Sequence, residues 1–188
     1  MHRLTGTEVE LVRTVSSILI PDGIESSISK GDKVYIQHVL GGMFTVQTDQ
    51  GYLMRVDGKD ADALGQPIPD ERRDISLQEV KEKGIEACVK EQLKTCYDPE
   101  IPVNIVDLGL IYESEIKCVD NDNEHFIVRI EMTLTAPGCG MGEIIKSDVE
   151  KKIRDIPGVV DVVVDLMFDP PWESSLMSEA AKLQLGFL

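Results

Sequence analysis

Apolar positions change their spacing once along this chain, near residue 75. Before that point they come in short runs punctuated by glycine. Lys33–Leu40 and Met43–Thr48 flank Gly41-Gly42, a pair that readily supplies the positive φ angles of a tight hairpin turn. Gln50-Gly51 precedes Tyr52–Val56, which ends at Asp57-Gly58, and an earlier β-prone run, Val9–Ile20, stops at Pro21-Asp22-Gly23. Residues 1–65 therefore read as a β-rich N-terminal extension, a small barrel or a curled sheet. The prolines and charges of residues 66–75 read as a linker.

From residue 76 the pattern mixes helical and strand periods. Ser76-Leu77-Gln78-Glu79 is a capping box, in which each side chain can satisfy a free backbone N–H at a helix start. The helix is expected to run to about Cys96, with Ile85, Cys88, Val89, Leu93 and Cys96 on one apolar stripe. Asp98-Pro99 stops it, because proline disfavours helical geometry in the residue before it. Leu110–Val119 and Phe126–Thr135 alternate, with turn chemistry in Asp120-Asn121-Asp122-Asn123 between them. Phe126, Val128, Ile130, Met132 and Leu134 share the apolar face, and Leu110, Tyr112, Ile116 and Cys118 align on a face of the other strand. Gly142–Arg154 is a helix with Ile145, Val149 and Ile153 aligned, and Pro157-Gly158 ends it. Val159–Phe168 reads as a third strand, and Ser178–Leu185 as a last short helix stopped by Gly186. The order α-β-β-α-β-α predicts an α+β protein whose residues 76–188 form a two-layer α/β domain, preceded by the small β-rich domain.

Charge narrows the partners. The formal net charge is −15 and no cluster of Lys and Arg is present, so neither nucleic acid nor an anionic membrane surface is an expected partner. Aromatic residues make up 5%, too few for stacking platforms along a single strand. The first twenty residues lack the architecture of a secretory signal, and a cytoplasmic protein is expected. Cys88, Cys96, Cys118 and Cys139 are then free thiols rather than disulfides, and no C-x-x-C pair suggests a zinc site.

One of these thiols has chemistry around it. Cys139 lies in Thr135-Ala136-Pro137-Gly138-Cys139-Gly140-Met141, where a strand gives way to a helix. Unpaired N–H groups and the aligned peptide dipoles at a helix start stabilise a thiolate, making it a better nucleophile or metal ligand. Gly138 and Gly140 remove side-chain bulk on both sides of it. A small thiol buried in a tight turn is the bland alternative. Cys88, Cys96 and Cys118 read as core residues. A single thiol does not hold an iron–sulfur cluster, which usually takes four ligands, so another chain or partner would supply the rest. Asp98-Pro99-Glu100-Ile101-Pro102 and Asp107-Leu108-Gly109 form a second constellation. Its carboxylates either shape turns or stand near the thiol, and spacing alone favours turns. His125 reads as a solvated residue opening a strand, and Trp172 as a pin for the C-terminal helix.

Taken in order, Asp98-Pro99-Glu100-Ile101-Pro102-Val103, Asp107-Leu108-Gly109-Leu110-Ile111-Tyr112, Thr135-Ala136-Pro137-Gly138-Cys139 and Asp169-Pro170-Pro171-Trp172 resemble the SufT-type metal–sulfur cluster biosynthetic proteins. The shared domain covers about residues 75–188. Gln37-His38-Val39-Leu40-Gly41-Gly42 and Ala63-Leu64-Gly65 resemble the N-terminal extension of long-form members. The resemblance implies a non-enzymatic maturation factor that assists iron–sulfur cluster formation or delivery. Its expected partners are the assembly machinery and apoprotein targets, with Cys139 as the metal ligand. It places Asp98, Glu100, Ile101 and Thr135 as neighbours of that thiol. Where some relatives carry a second threonine, this chain has Ala136. A transient iron–sulfur cluster is the only cofactor it implies, and a homodimer could bridge one with two thiolates. Two other classes compete: a thiol enzyme with Cys139 as nucleophile, and an adaptor that uses the same loop without metal.

Overall fold

The computed structural model describes residues 6–69, 74–120, 124–138 and 140–187. Its chain groups into two compact units. The first takes in the N-terminal residues up to 69 together with Pro99–Pro102 and residues 140–141, and the second takes in the rest. The structure is of mixed α+β class, as the change in apolar spacing predicts.

Among the described residues the first unit carries one antiparallel sheet of six strands: β1 (Thr7–Glu10), β2 (Val15–Ile20), β3 (Ile24–Ile28), β4 (Lys33–Leu40), β5 (Met43–Thr48) and β6 (Leu53–Asp57). They lie in the order β1-β4-β5-β6-β2-β3, with β1 and β3 at the edges. The Gly41-Gly42 hairpin is as expected: Leu40 pairs with Met43, and the two glycines take φ of 60° and 81°. The long run Val9–Ile20 is instead two strands. Leu11 turns inward at 1% exposure, and its N–H and carbonyl go to Asp32 and Gly31 rather than on into a ladder. After Asp57 the chain forms a 3₁₀ segment, Gly58–Leu64, that sequence pattern did not announce. Asp57 caps it through Lys59 N–H, and Arg13 ties it to the β1–β2 connection by ion pairs to Asp60 and Asp62. Val34, Ile36, Phe44, Val46 and Val56 make the core of this unit with Ala61, Ala63 and Leu64 from the 3₁₀ segment.

In the second unit the capping box at Ser76 and Glu79 is present in both directions, and it opens α1 (Leu77–Lys83). The helix does not continue to Cys96. Gly84 takes φ 85° and ψ 154°, a conformation glycine alone adopts cheaply, and α2 (Ile85–Leu93) starts afresh after it. The apolar stripe lies wholly beyond the break, and Ile85, Cys88, Val89, Leu93 and Cys96 are all buried.

The sheet of this unit has, among the described residues, three strands in sequence order: β7 (Ile111–Cys118), β8 (Phe126–Met132) and β9 (Val159–Leu166). β7 and β8 form an antiparallel hairpin, while β9 runs parallel to β8. A parallel pair needs a crossover, and α3 (Gly142–Arg154) supplies it. Ile145, Val149 and Ile153 of α3 are at most 2% exposed, and Val128, Ile130 and Met132 of β8 are fully buried. Ser178 caps α4 (Glu179–Leu185), and Gly186 closes it in the left-handed conformation. Cys118, expected in the core, is exposed. Its pairing with Phe126 keeps Cys118 on the face of Ile116, but it is the last residue of β7, at the hairpin tip, with its thiol on the carbonyl of Asp120. The turn residues 121–123, the centre of the expected linker at 70–73 and Cys139 lie outside the described residues.

Candidate functional site

The chain leaves α2 through a short, tightly closed loop. Ile105 N–H bonds the carbonyl of Cys96, and Tyr97 and Asn104 form an isolated bridge, so residues 97–104 are cinched at the base. The next turn is held by one asparagine. Asn104 accepts from Asp107 N–H at 2.9 Å through its side-chain oxygen and donates to the Asp107 carboxylate at 2.6 Å. Asn104 is not among the residues that the sequence motifs single out. Its spacing of three from Asp107 is the signal that would have found it.

Asp98 stands at the mouth of this loop and is only 6% exposed. An ionised carboxylate at that depth needs polar company. Thr135 provides some of it: its hydroxyl lies 3.5 Å from Asp98 Oδ2, at the long limit of a hydrogen bond. The two residues are 37 positions apart, and different elements bring them together. Asp98 follows α2, and Thr135 follows β8. Thr133, two residues earlier, is fixed by donation of its N–H to the carbonyl of Leu110 and is 1% exposed. Leu134 packs on Gly142 at the start of α3, where a Cβ would meet its Cδ1 at 2.7 Å. The turn from Thr135 is thus held at its strand end by Thr133 and Leu134. Gly138 takes φ 79°, a backbone conformation that favours glycine there, and among the described residues beyond its chain neighbours nothing lies within 4 Å of where its Cβ would be.

Of the residues singled out in the sequence, the structure brings Asp98 and Thr135 together. Glu100 is exposed and Ile101 half-buried, both in the Pro99–Pro102 segment that groups with the first unit. Cys139 lies outside the described residues, three positions before the first residue of α3. Cys88 and Cys96 are fully buried core thiols, as expected. Among the described residues no group of three or more His, Cys, Asp or Glu side chains is placed to hold a metal ion.

The remaining motifs shape the other end of this region. Trp172 donates its indole N–H to the carbonyl of Leu108 at 2.9 Å, and Tyr112 donates its hydroxyl to the carbonyl of Pro170 at 2.8 Å. Ser178 N–H bonds the carbonyl of Asp107. The Asp107-Leu108-Gly109 and Asp169-Pro170-Pro171-Trp172 motifs therefore pin one another. Trp172 holds the C-terminal segment onto the loop before β7 rather than a helix onto the sheet. At the far tip of the β7–β8 hairpin, the exposed His125 ring bonds Asp120 and holds that carboxyl down at about 2.

Residues 86–165 match the family described as "Iron-sulfur cluster assembly protein". The chain is 47% identical over 100 residues to the "Fe-S protein maturation auxiliary factor" of Porphyromonas gingivalis, covering 90% of that protein and 53% of this one. It is 39% identical over 105 residues to the "Fe-S protein maturation auxiliary factor YitW" of Bacillus subtilis, covering 97% of that protein and 56% of this one. To the "Fe-S protein maturation auxiliary factor SufT" of Staphylococcus aureus it is 39% identical over 89 residues, or 94% of that protein and 47% of this one.

Proposed function

This chain belongs to the iron–sulfur cluster assembly protein family, and from that premise we propose that it is an auxiliary factor in the maturation of iron–sulfur proteins, with Cys139 as its working thiol. The observation that carries the reading is the likeness to the P. gingivalis maturation factor, at 47% identity across nine-tenths of that protein. Residues 76–188 are the maturation domain in this reading, and residues 1–65 an added β-rich unit.

The chemistry proceeds from the residues at the turn. Cys139 supplies a soft ligand to iron, and its place just before α3 in the sequence favours the thiolate. Asp98 is a hard oxygen donor and a proton acceptor, and the Thr135 hydroxyl beside it orients one carboxylate oxygen. Glu100 and Ile101 complete the set. One thiolate leaves most cluster positions to be filled from elsewhere, by a second copy of this chain or by a partner of the assembly machinery. The cluster is then cargo, shared while bound and passed to an apoprotein. No catalytic turnover is assigned to the chain. Among the described residues no helix is long and apolar enough to cross a membrane, and the work is assigned to the cytoplasm.

Anaerobic reconstitution with ferrous iron and sulfide tests this, with iron and sulfide measured per chain beside the native mass. Wild type should bind a cluster that Cys139→Ala does not. Equal cluster per chain in the two proteins removes Cys139 from the ligand set. Complementation of a bacterium lacking its own maturation factor, read as the activity of a cluster-containing enzyme, tests the function itself. Failure of wild type to restore that activity sinks it.

A further inference from the structure

The proposed site uses the first and third sequence motifs and leaves the other two without a task. Those two meet in the second unit around a groove of about 520 Å³. It is lined by Ile111 and Tyr112 of β7, by Met167 beyond β9, and by Pro170 and Leu176. Its ionisable side chains, apart from the Tyr112 phenol, are all carboxylates: Glu113, Glu131 and Asp169.

The groove is held open by fixed walls. The Tyr112 hydroxyl and the Trp172 indole tether the 169–176 segment. Gly109, at φ 73°, lets that segment close in, because a Cβ there would run into the backbone and Cβ of Leu176. Register places a row of like charges beside it. Glu113 pairs across to Glu131, and Glu131 to Asp165, so three carboxylates stand side by side on neighbouring strands. Such a row costs stability on its own. Arg129 offsets part of it, 2.8 Å from Asp165 and 3.9 Å from Glu131, and the row remains net negative. Apolar side chains stay uncovered here as well: Met167 is 37% exposed, Phe168 47% and Leu176 46%.

We infer that this groove docks an extended segment of a partner protein that presents an arginine or lysine side chain between apolar neighbours. The walls supply apolar contact, and the carboxylates supply charge complementarity with a cation. β7 is an edge strand, able to pair with an extended chain along its outer side. The groove lies where β7 begins and β8 and β9 end, the same end of the sheet from which the chain enters the Thr135 turn. A partner seated there is delivered to that end of the domain. The inference stands whether or not Cys139 holds a cluster.

The test is a titration of the ¹⁵N-labelled full chain with three blocked tripeptides: acetyl-Leu-Arg-Leu-amide and its Gln and Glu counterparts. The arginine peptide should shift the amides of Ile111, Tyr112, Glu131 and Met167 and bind most tightly, the glutamate peptide least. The double variant Glu113→Gln, Glu131→Gln should keep the wild-type spectrum elsewhere and bind the arginine peptide roughly three- to tenfold more weakly. Equal binding of the three peptides overturns the inference, as does undiminished binding by the double variant. So does a shift map outside the groove, or no shift at millimolar arginine peptide. Groove amides that move with protein concentration alone would assign the surface to a second copy of this chain instead.

Discussion

Gly109→Ala should destabilise the second unit far more than Gly138→Ala, although both glycines take positive φ, 73° and 79°. At either position alanine enters the left-handed region, at a cost of about 1–2 kcal/mol. Gly138 meets nothing further among the described residues, none of which beyond its chain neighbours lies within 4 Å of its would-be Cβ. At Gly109 the same methyl group runs into the backbone of Leu176, and overpacking of this kind adds about 1–3 kcal/mol. Trp172 is the only tryptophan in the chain and bonds Leu108, so its fluorescence reports on this neighbourhood. Urea unfolding followed at that tryptophan reads the difference. With an m-value of about 1.5 kcal/mol per molar, a loss of about 3.5 kcal/mol lowers the midpoint by about 2 M for Gly109→Ala. A loss of about 1.5 kcal/mol lowers it by about 1 M for Gly138→Ala. Equal midpoints for the two variants would refute the collision, and with it the account of why the 174–176 segment closes on this loop.

Other outcomes follow from the same structure. Ile145→Ala, at a position 2% exposed, should cost about 2–5 kcal/mol; Leu183→Ala, 70% exposed, should stay within about 0.5 kcal/mol in the same urea assay. The Asp120 carboxyl, held down chiefly by the His125 ring, should titrate at about 2 by carboxyl NMR, and in His125→Ala it should move up toward the ordinary 3.8. The sign follows from the depressed value: the stabilisation is complete above pH 3.8 and is lost as pH falls through about 2. A midpoint unchanged by the substitution would show that the ring is not the cause.

What could be read from sequence was whatever neighbours in the chain decide. The Gly41-Gly42 hairpin, the Ser76–Glu79 capping box, the Ile145-Val149-Ile153 stripe and the Gly186 stop are all local patterns, and each stands where the pattern puts it. The misses have local causes of another kind. The expected helix runs from the Ser76 cap through Gly84 because side-chain periodicity does not register the backbone angle that splits it there. Alternation puts Cys118 on the face of Ile116, where its pairing with Phe126 keeps it, but a count of odd and even positions does not register that β7 ends there, at an exposed hairpin tip. The approach of Thr135 to Asp98 depends on where β8 ends relative to α2, which only the packed sheet determines. Family resemblance proposed that neighbourhood, and spacing alone favoured turns. The pinning of Leu108 by Trp172 was half legible: tethering was expected, but its partner was not.

The order of the second sheet has a consequence for how the chain is made. β7, β8, α3 and β9 follow one another from residue 111 to 166, and each strand lies beside the next in sequence. Every rung of that ladder is closed by chain emerging from the ribosome within about fifty residues of its partner. The sheet can assemble as soon as β9 appears, with no strand waiting on the N-terminal residues. Such a module is easily inherited whole. The P. gingivalis relative matches this chain over 53% of its length while using 90% of its own.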